Sequence, residues 1–160
     1  GMLTKMNYRV TGWSRSRKGL PGVRSYVGEP ELLKFLSDAQ ILVMLLPLDE
    51  TTQHILNKGT LAQLPSGACV INAGRGGLIH ENDLLNALDK GHVSGAALDV
   101  FEAEPLPDAH LFWRHPNITV TPHAASLPNP VTAVQFVAEN IRRHQNGNRL
   151  KHIAVPTDRR

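Results

Sequence analysis

Six consecutive apolar residues, Ile41 to Leu46 (ILVMLL), set the tightest constraint on what this chain can fold into. A run so short and so uniformly apolar is the signature of a β-strand covered on both faces, and such strands belong to parallel sheets with helices above and below. Even extended to Pro47, the run falls far short of the roughly 18 residues that a membrane-spanning helix needs.

The rest of the chain supplies the alternation that such a sheet requires. Tyr8 to Trp13 (YRVTGW) has the β-branched and aromatic content of a strand, and Ser25 to Val27 offers a short second one. Glu29-Pro30 opens a helix that runs through Asp38, with proline early, where its missing N–H costs nothing. Ala68 to Asn72 (ACVIN), Val93 to Val100 and Ile118 to Thr121 read as further strands. Between the first two of these, Glu81 to Lys90 has acids in its first turn, leucines on one face and Gly91 as a stop. A last helix starts at Asn129-Pro130 and ends at Gly147. The pattern predicts an α/β fold with a doubly wound parallel sheet, whose ligands bind at the carboxyl ends of the strands. Residues 13–18, 47–52, 72–77, 99–105 and 122–125 are therefore the places to look for chemistry.

Composition narrows the function classes. At 160 residues, with 41% hydrophobic and 19% charged, the chain has the size of one globular domain. The lone Cys69 cannot make an internal bridge, and the first residues hold no apolar stretch of signal-peptide length, so a reducing cytoplasm is expected. The net charge of +3 conceals an uneven distribution: Lys5, Arg9, Arg15, Arg17, Lys18 and Arg24 precede any acid, and the last twenty residues are basic again, while the centre is acidic. No aromatic or helix-turn-helix signal accompanies these bases, which argues against a nucleic-acid partner.

Among the strand ends, Ala73-Gly74-Arg75-Gly76-Gly77 begins like a dinucleotide loop, but Ile79 stands where the third glycine belongs, so that reading fails. What remains is an arginine on a glycine turn, suited either to clamping a carboxylate or to a surface ion pair. Asp99 follows directly on a strand, Glu102-Ala103-Glu104 comes next, and His123 ends the last strand. A histidine and a carboxylate placed this way make either an acid/base couple or a structural ion pair. His110, His115 and His123 lack metal-ligand spacing, and Cys69 reads as an inert thiol buried in a strand. Ser14 and Ser66 lack the setting of a hydrolase nucleophile, and Trp13 and Trp113 read as packing residues.

Four stretches in order, LLPLDETT (45–52), INAGRGGLI (71–79), ALDVFEAEPLP (97–107) and ITVTPHAA (118–125), resemble the D-isomer-specific 2-hydroxyacid dehydrogenases. Two further features are similar to the glyoxylate/hydroxypyruvate reductase branch: the run Trp13 to Lys18, and LFWRHP after Pro105-Leu106-Pro107. The resemblance implies NAD(P)-dependent reduction of a small 2-oxo acid. It implies that Arg75 holds the substrate carboxylate and keto oxygen, that His123 donates the proton to the keto oxygen, and that Glu104 pairs with His123. It also implies a cofactor lying along Pro47 and Thr52 on its adenosine side and along Ala73, Gly74 and Asp99 on its nicotinamide side. Asp49-Glu50 departs from the Thr-Pro common in that loop of the family. Where a second-strand acid would accept from the adenine ribose, this chain has Ser14, Arg15 and Ser16, which favours NADPH over NADH because arginine accommodates a 2′-phosphate.

Against the family pattern, the sequence lacks the first strand, the glycine-rich phosphate turn and the separate substrate domain. The expectation is a partial Rossmann-like sheet, with residues 1–147 a truncated NAD(P)-binding domain and 148–160 a C-terminal tail. The open edge of the Tyr8–Trp13 strand would be closed by pairing with ILVMLL or by homodimerisation. The alternative to an active dehydrogenase is a catalytically inactive, nucleotide-binding remnant.

Overall fold

The computed structural model describes residues 1–126 and 129–153; part of the expected tail, 154–160, lies outside the described residues. The chain divides into two compact units, Gly1–Ala125 and Ser126–Arg160.

The first unit begins with a single helical turn, α1 (Met2–Lys5), which leads into β1 (Val10–Ser14) and β2 (Val23–Val27). These two strands pair in parallel, Val10 opposite Val23 and Ser14 opposite Val27. α2 (Gly28–Ser37) follows and packs on both of them. A second parallel sheet runs in the order β3 (Ile41–Met44), β4 (Ala68–Asn72), β5 (Val93–Leu98), β6 (Ile118–Val120). Between its strands lie α3 (Lys58–Leu61) and α4 (Glu81–Asp89). Every strand contact is parallel, as βαβ connections dictate, so all carboxyl ends in the larger sheet point the same way.

The core lies within this unit. Val70, Leu84 and Val93 are completely shielded, joined by Leu56, Leu61 and Leu78, and each such side chain contributes on the order of 1.5–3 kcal/mol over its exposed state. The short α3 was not signalled by periodicity; Asn57 makes it possible, accepting from the Gly59 and Thr60 N–H groups while the Thr60 hydroxyl takes the Asn57 N–H in return.

Two expectations need correction. ILVMLL is covered on one face only: Leu42 and Met44 are buried, while Ile41, Val43 and Leu45 are 55%, 46% and 69% exposed. Nor does β1 pair with β3. The two sheets are separate, and the facing edges of β1 and β3 border an apolar cleft of about 260 Å³. Leu32, Phe35 and Leu36 of α2 and Ile55 line that cleft, and no backbone ladder joins β1 to β3.

In the second unit, α5 (Pro130–Gln145) is capped by Asn129, whose side chain accepts from the Val131 N–H at 3.0 Å. Glu139 gathers Arg142, Arg143 and Lys151, and Asn140 exchanges hydrogen bonds with the backbone of Lys151, folding the following segment back on the helix.

Candidate active site

The carboxyl end of β4 builds the first wall. Asn72, 1% exposed, accepts the Gly74 N–H on its side-chain oxygen at 3.1 Å and donates to the Arg75 carbonyl at 3.0 Å, which shapes the turn that presents Arg75. The Arg75 guanidinium donates to the Gly74 carbonyl at 2.6 Å and is otherwise open to the cavity. Gly76 lies so close to the next loop that a Cβ there would overlap the Phe101 carbonyl and the Glu102 nitrogen. The arginine turn is thus in backbone contact with the loop that carries Glu104.

Asp99, at the end of β5, holds the third segment. One carboxylate oxygen accepts from the Thr121 hydroxyl and from the Ala124 N–H at 2.9 Å; the other accepts from the Ala125 N–H at 2.9 Å. Burial opposes ionisation of Asp99, yet the Thr121 hydroxyl and the two N–H groups outweigh it and, with the nearby His123, hold this carboxyl below its usual range. The His123 N–H donates to the Asp99 carbonyl at 2.9 Å, and His123 itself has φ +52°, a left-handed conformation uncommon for a non-glycine residue.

Between these walls stands the histidine–carboxylate pair. Nδ1 of His123 is 2.7 Å from one oxygen of Glu104, and the other oxygen accepts the Phe101 N–H at 3.1 Å. The Glu104 carboxyl is held low, first by the His123 hydrogen bond, then by the Phe101 N–H, with the charges of His123 and Arg75 beside it. Arg75, Glu104 and His123 line one open cavity of about 490 Å³, together with Leu48, His54 and Glu102. Strand position alone left the carboxylate partner of His123 open, and the resemblance implied Glu104; in the structure the ring meets Glu104, and Asp99 braces its loop.

The remaining expected residues lie along the strand ends. After β1, the Ser14 hydroxyl donates to the Ser16 carbonyl at 2.6 Å, and Arg15, its side chain 72% exposed, meets Asp49 at 3.3 Å. Pro47 is exposed at the end of the β3 segment, and its carbonyl accepts the hydroxyl of Thr52 at 2.8 Å. Thr52 is 4% exposed and also accepts the Asp49 N–H, so its hydroxyl shapes the Pro47–Asp49 turn. Ala73 is half-buried and Gly74 buried; a Cβ on Gly74 would press on Leu78 at 3.0 Å and the Leu46 carbonyl at 3.1 Å.

His54 and Glu102 went unrecognised in the sequence. They pair at 2.6 Å although 48 positions separate them, and no local spacing announces such a contact. Of the histidines weighed as a metal cluster, His110 and His115 take separate carboxylates, Glu81 and Asp89. Among the described residues, no group of three His, Cys, Asp or Glu side chains is placed to hold a metal ion. Cys69 is half-buried rather than buried, 3.3 Å from the Ser94 hydroxyl. Trp13 donates to the Gly28 carbonyl and Trp113 to that of Pro107. No helix among the described residues is long and apolar enough to cross a membrane.

Residues 1–125 match the family model of the D-isomer-specific 2-hydroxyacid dehydrogenase NAD-binding domain. Among solved structures, the chain is similar to a D-isomer-specific 2-hydroxyacid dehydrogenase from Xanthobacter autotrophicus Py2 in complex with NADPH and MES. They share 42% identity with a TM-score of 0.92 over 96% of this chain and 64% of that one. A D-isomer-specific 2-hydroxyacid dehydrogenase family protein from Klebsiella pneumoniae 342 gives 44% identity and a TM-score of 0.92 over 96% of this chain and 50% of that one. An NADPH-dependent glyoxylate/hydroxypyruvate reductase from Sinorhizobium meliloti, in complex with NADP and sulfate, gives 40% and 0.91 over 96% and 50%. The chain therefore spans between half and just under two-thirds of the length of these relatives.

Proposed function

The chain belongs to the D-isomer-specific 2-hydroxyacid dehydrogenase family, and from that premise we propose that its residues carry the NADPH-dependent reduction of a small 2-oxo acid, such as glyoxylate or hydroxypyruvate, to the 2-hydroxy acid. The observation that carries this reading is the convergence of Arg75, Glu104 and His123 on one cavity at the carboxyl ends of the strands.

Arg75 receives the substrate carboxylate in a two-point clamp, which fixes the orientation of the keto group. His123 holds a proton on the ring nitrogen opposite Glu104 and gives it to the keto oxygen. Glu104, accepting at Nδ1, fixes the tautomer and stabilises the imidazolium before transfer. When bound, a dihydronicotinamide supplies the hydride that reaches the keto carbon.

The residues at the strand ends fit the two ends of such a dinucleotide. Arg15 is largely exposed, and an exposed ion pair such as its contact with Asp49 is worth about 0–1 kcal/mol, so the guanidinium is free to turn to a 2′-phosphate, with Ser14 and Ser16 beside it. Pro47 and Thr52 shape the adenosine side; Ala73, Gly74 and the loop braced by Asp99 form the nicotinamide side. NADPH and NADP in the solved relatives agree with this preference. A homodimer in a reducing cytoplasm completes the reading, and sedimentation velocity tests the association.

The deciding experiment is NADPH oxidation by the purified chain with hydroxypyruvate and glyoxylate, compared with NADH and with His123→Ala as blank. Turnover above the blank with NADPH supports the proposal. The separation of β1 from β3 favours a second reading, in which the chain binds nucleotide and turns nothing over. A folded sample that binds NADPH without oxidising it with either acid supports that reading.

A further inference from the structure

We propose that His54 and Glu102 form a second histidine–carboxylate pair in the same cavity, one that positions Glu104 without touching the reacting atoms. The proposal rests on the reading of Arg75, Glu104 and His123 given above, and it assigns work to two side chains that the proton-transfer couple leaves unexplained.

Nε2 of His54 lies 2.6 Å from the Glu102 carboxylate, and both side chains face the cavity that holds Arg75, Glu104 and His123. His54 is delivered there by a backbone in the left-handed region, φ +50°, uncommon for a non-glycine residue and held here by its surroundings. Those surroundings are specific. The His54 N–H donates to the Gly77 carbonyl at 2.8 Å, its carbonyl accepts from the Asn57 side chain at 2.9 Å, and its ring meets the His80 ring edge-on at 5.1 Å. The histidine is therefore anchored to the far end of the turn that presents Arg75.

Glu102 is gripped from a second side. Its N–H donates to Glu81 at 3.1 Å, and the other oxygen of Glu81 lies 3.2 Å from His110. Phe101, one residue earlier, donates its N–H to Glu104, while Glu104 stands two residues beyond Glu102. A loop held at Glu102 by His54 and Glu81 thus has little freedom left at Glu104. Removing the His54 contact loosens the segment from one side and lets Glu104 leave both Phe101 and His123. The charged groups around the pair are His80 and Glu81 on the α4 side and Arg75, Glu104 and His123 across the cavity.

Side-chain carboxyl carbon NMR of the purified chain tests this without turnover, by following the titration of Glu104 in four variants. His54→Ala and His54→Phe are expected to raise its midpoint toward the ordinary carboxylate range, while methyl signals of the β4–β5 core stay in place. His54→Gln, whose amide nitrogen reaches nearly as far as Nε2, is expected to keep the midpoint low. His123→Ala serves as the reference and raises the midpoint by removing the main cause of its depression. If His123→Ala moves Glu104 but His54→Ala and His54→Phe leave it unmoved in a folded protein, the positioning role is wrong and the catalytic pairing stands. If His123→Ala also leaves it unmoved, the pairing itself fails and the positioning role falls with it. His54→Phe keeps the bulk of the ring without its hydrogen bond, so it decides the matter should His54→Ala not fold.

Discussion

Nδ1 of His123 stands 2.7 Å from a Glu104 oxygen, so Nε2 is the ring nitrogen left to meet a substrate oxygen. A general acid held in this way supplies roughly 10²- to 10⁴-fold in rate. His123→Ala is expected to cost that much in kcat/KM with hydroxypyruvate and NADPH. Glu104→Gln is expected to lower kcat more than it raises KM, since it leaves the Arg75 clamp untouched. Steady-state kinetics of the two variants check both.

The pH dependence of stability should carry the mark of Asp99. Its folded carboxyl titrates below the ordinary value of about 4, so its contribution is complete above that value and is lost as pH falls through the lowered one. Asp99→Asn is expected to flatten the acid limb of unfolding below about pH 4, followed by circular dichroism. Asp99→Ala removes the acceptor of the Thr121 hydroxyl and of two N–H groups; at about 0.5–1.5 kcal/mol net for each hydrogen bond, it should lower Tm by several degrees.

Gly76→Ala should be harsher than its one added methyl suggests. The Cβ would fall on the Phe101 carbonyl and the Glu102 nitrogen, which are backbone and cannot rotate aside. The loops carrying Arg75 and Glu104 must then part, and we expect kcat/KM to drop by at least about 10²-fold if the variant folds, since misplacement of about 1 Å can cost that much. Thermal unfolding separates the loss of fold from the loss of alignment.

Arg15→Ala should separate the two cofactors. Loss of a charge-assisted contact to a 2′-phosphate, about 1.5–3 kcal/mol, weakens NADPH about tenfold or more and leaves NADH nearly unchanged. Nucleotide fluorescence titrations at two salt concentrations read this out, and the NADPH advantage should shrink as salt rises.

Much of this architecture was legible because parallel strands and their helices announce themselves locally. ACVIN is a strand over the same five residues in the sequence reading and in the structure, and Glu81 with Asp83 marks the start of α4. α3 escaped because four residues are too few for a periodic pattern; its signal was the cap at Asn57. The two-faced covering expected for ILVMLL failed because an apolar run reports what a strand can bury, whereas burial also depends on what packs against it. At the site, Arg75, Glu104 and His123 were visible as motifs at strand ends. The His54–Glu102 pair was not, since it depends on the path of two loops that only the folded chain brings together.

The contact of Gly76 with the Phe101–Glu102 backbone also bears on how this scaffold can diversify. Two main-chain segments in direct contact form a rigid frame, so chemistry and substrate choice are free to change separately only where side chains alone meet the cavity. Leu48, which reaches over Gly77 from the opposite loop, and its neighbour Gln53 are such positions. Libraries seeking to reshape this cavity should vary those two sites and leave the glycine turn alone, because Leu48 lines the cavity through its side chain while Gly76 meets backbone.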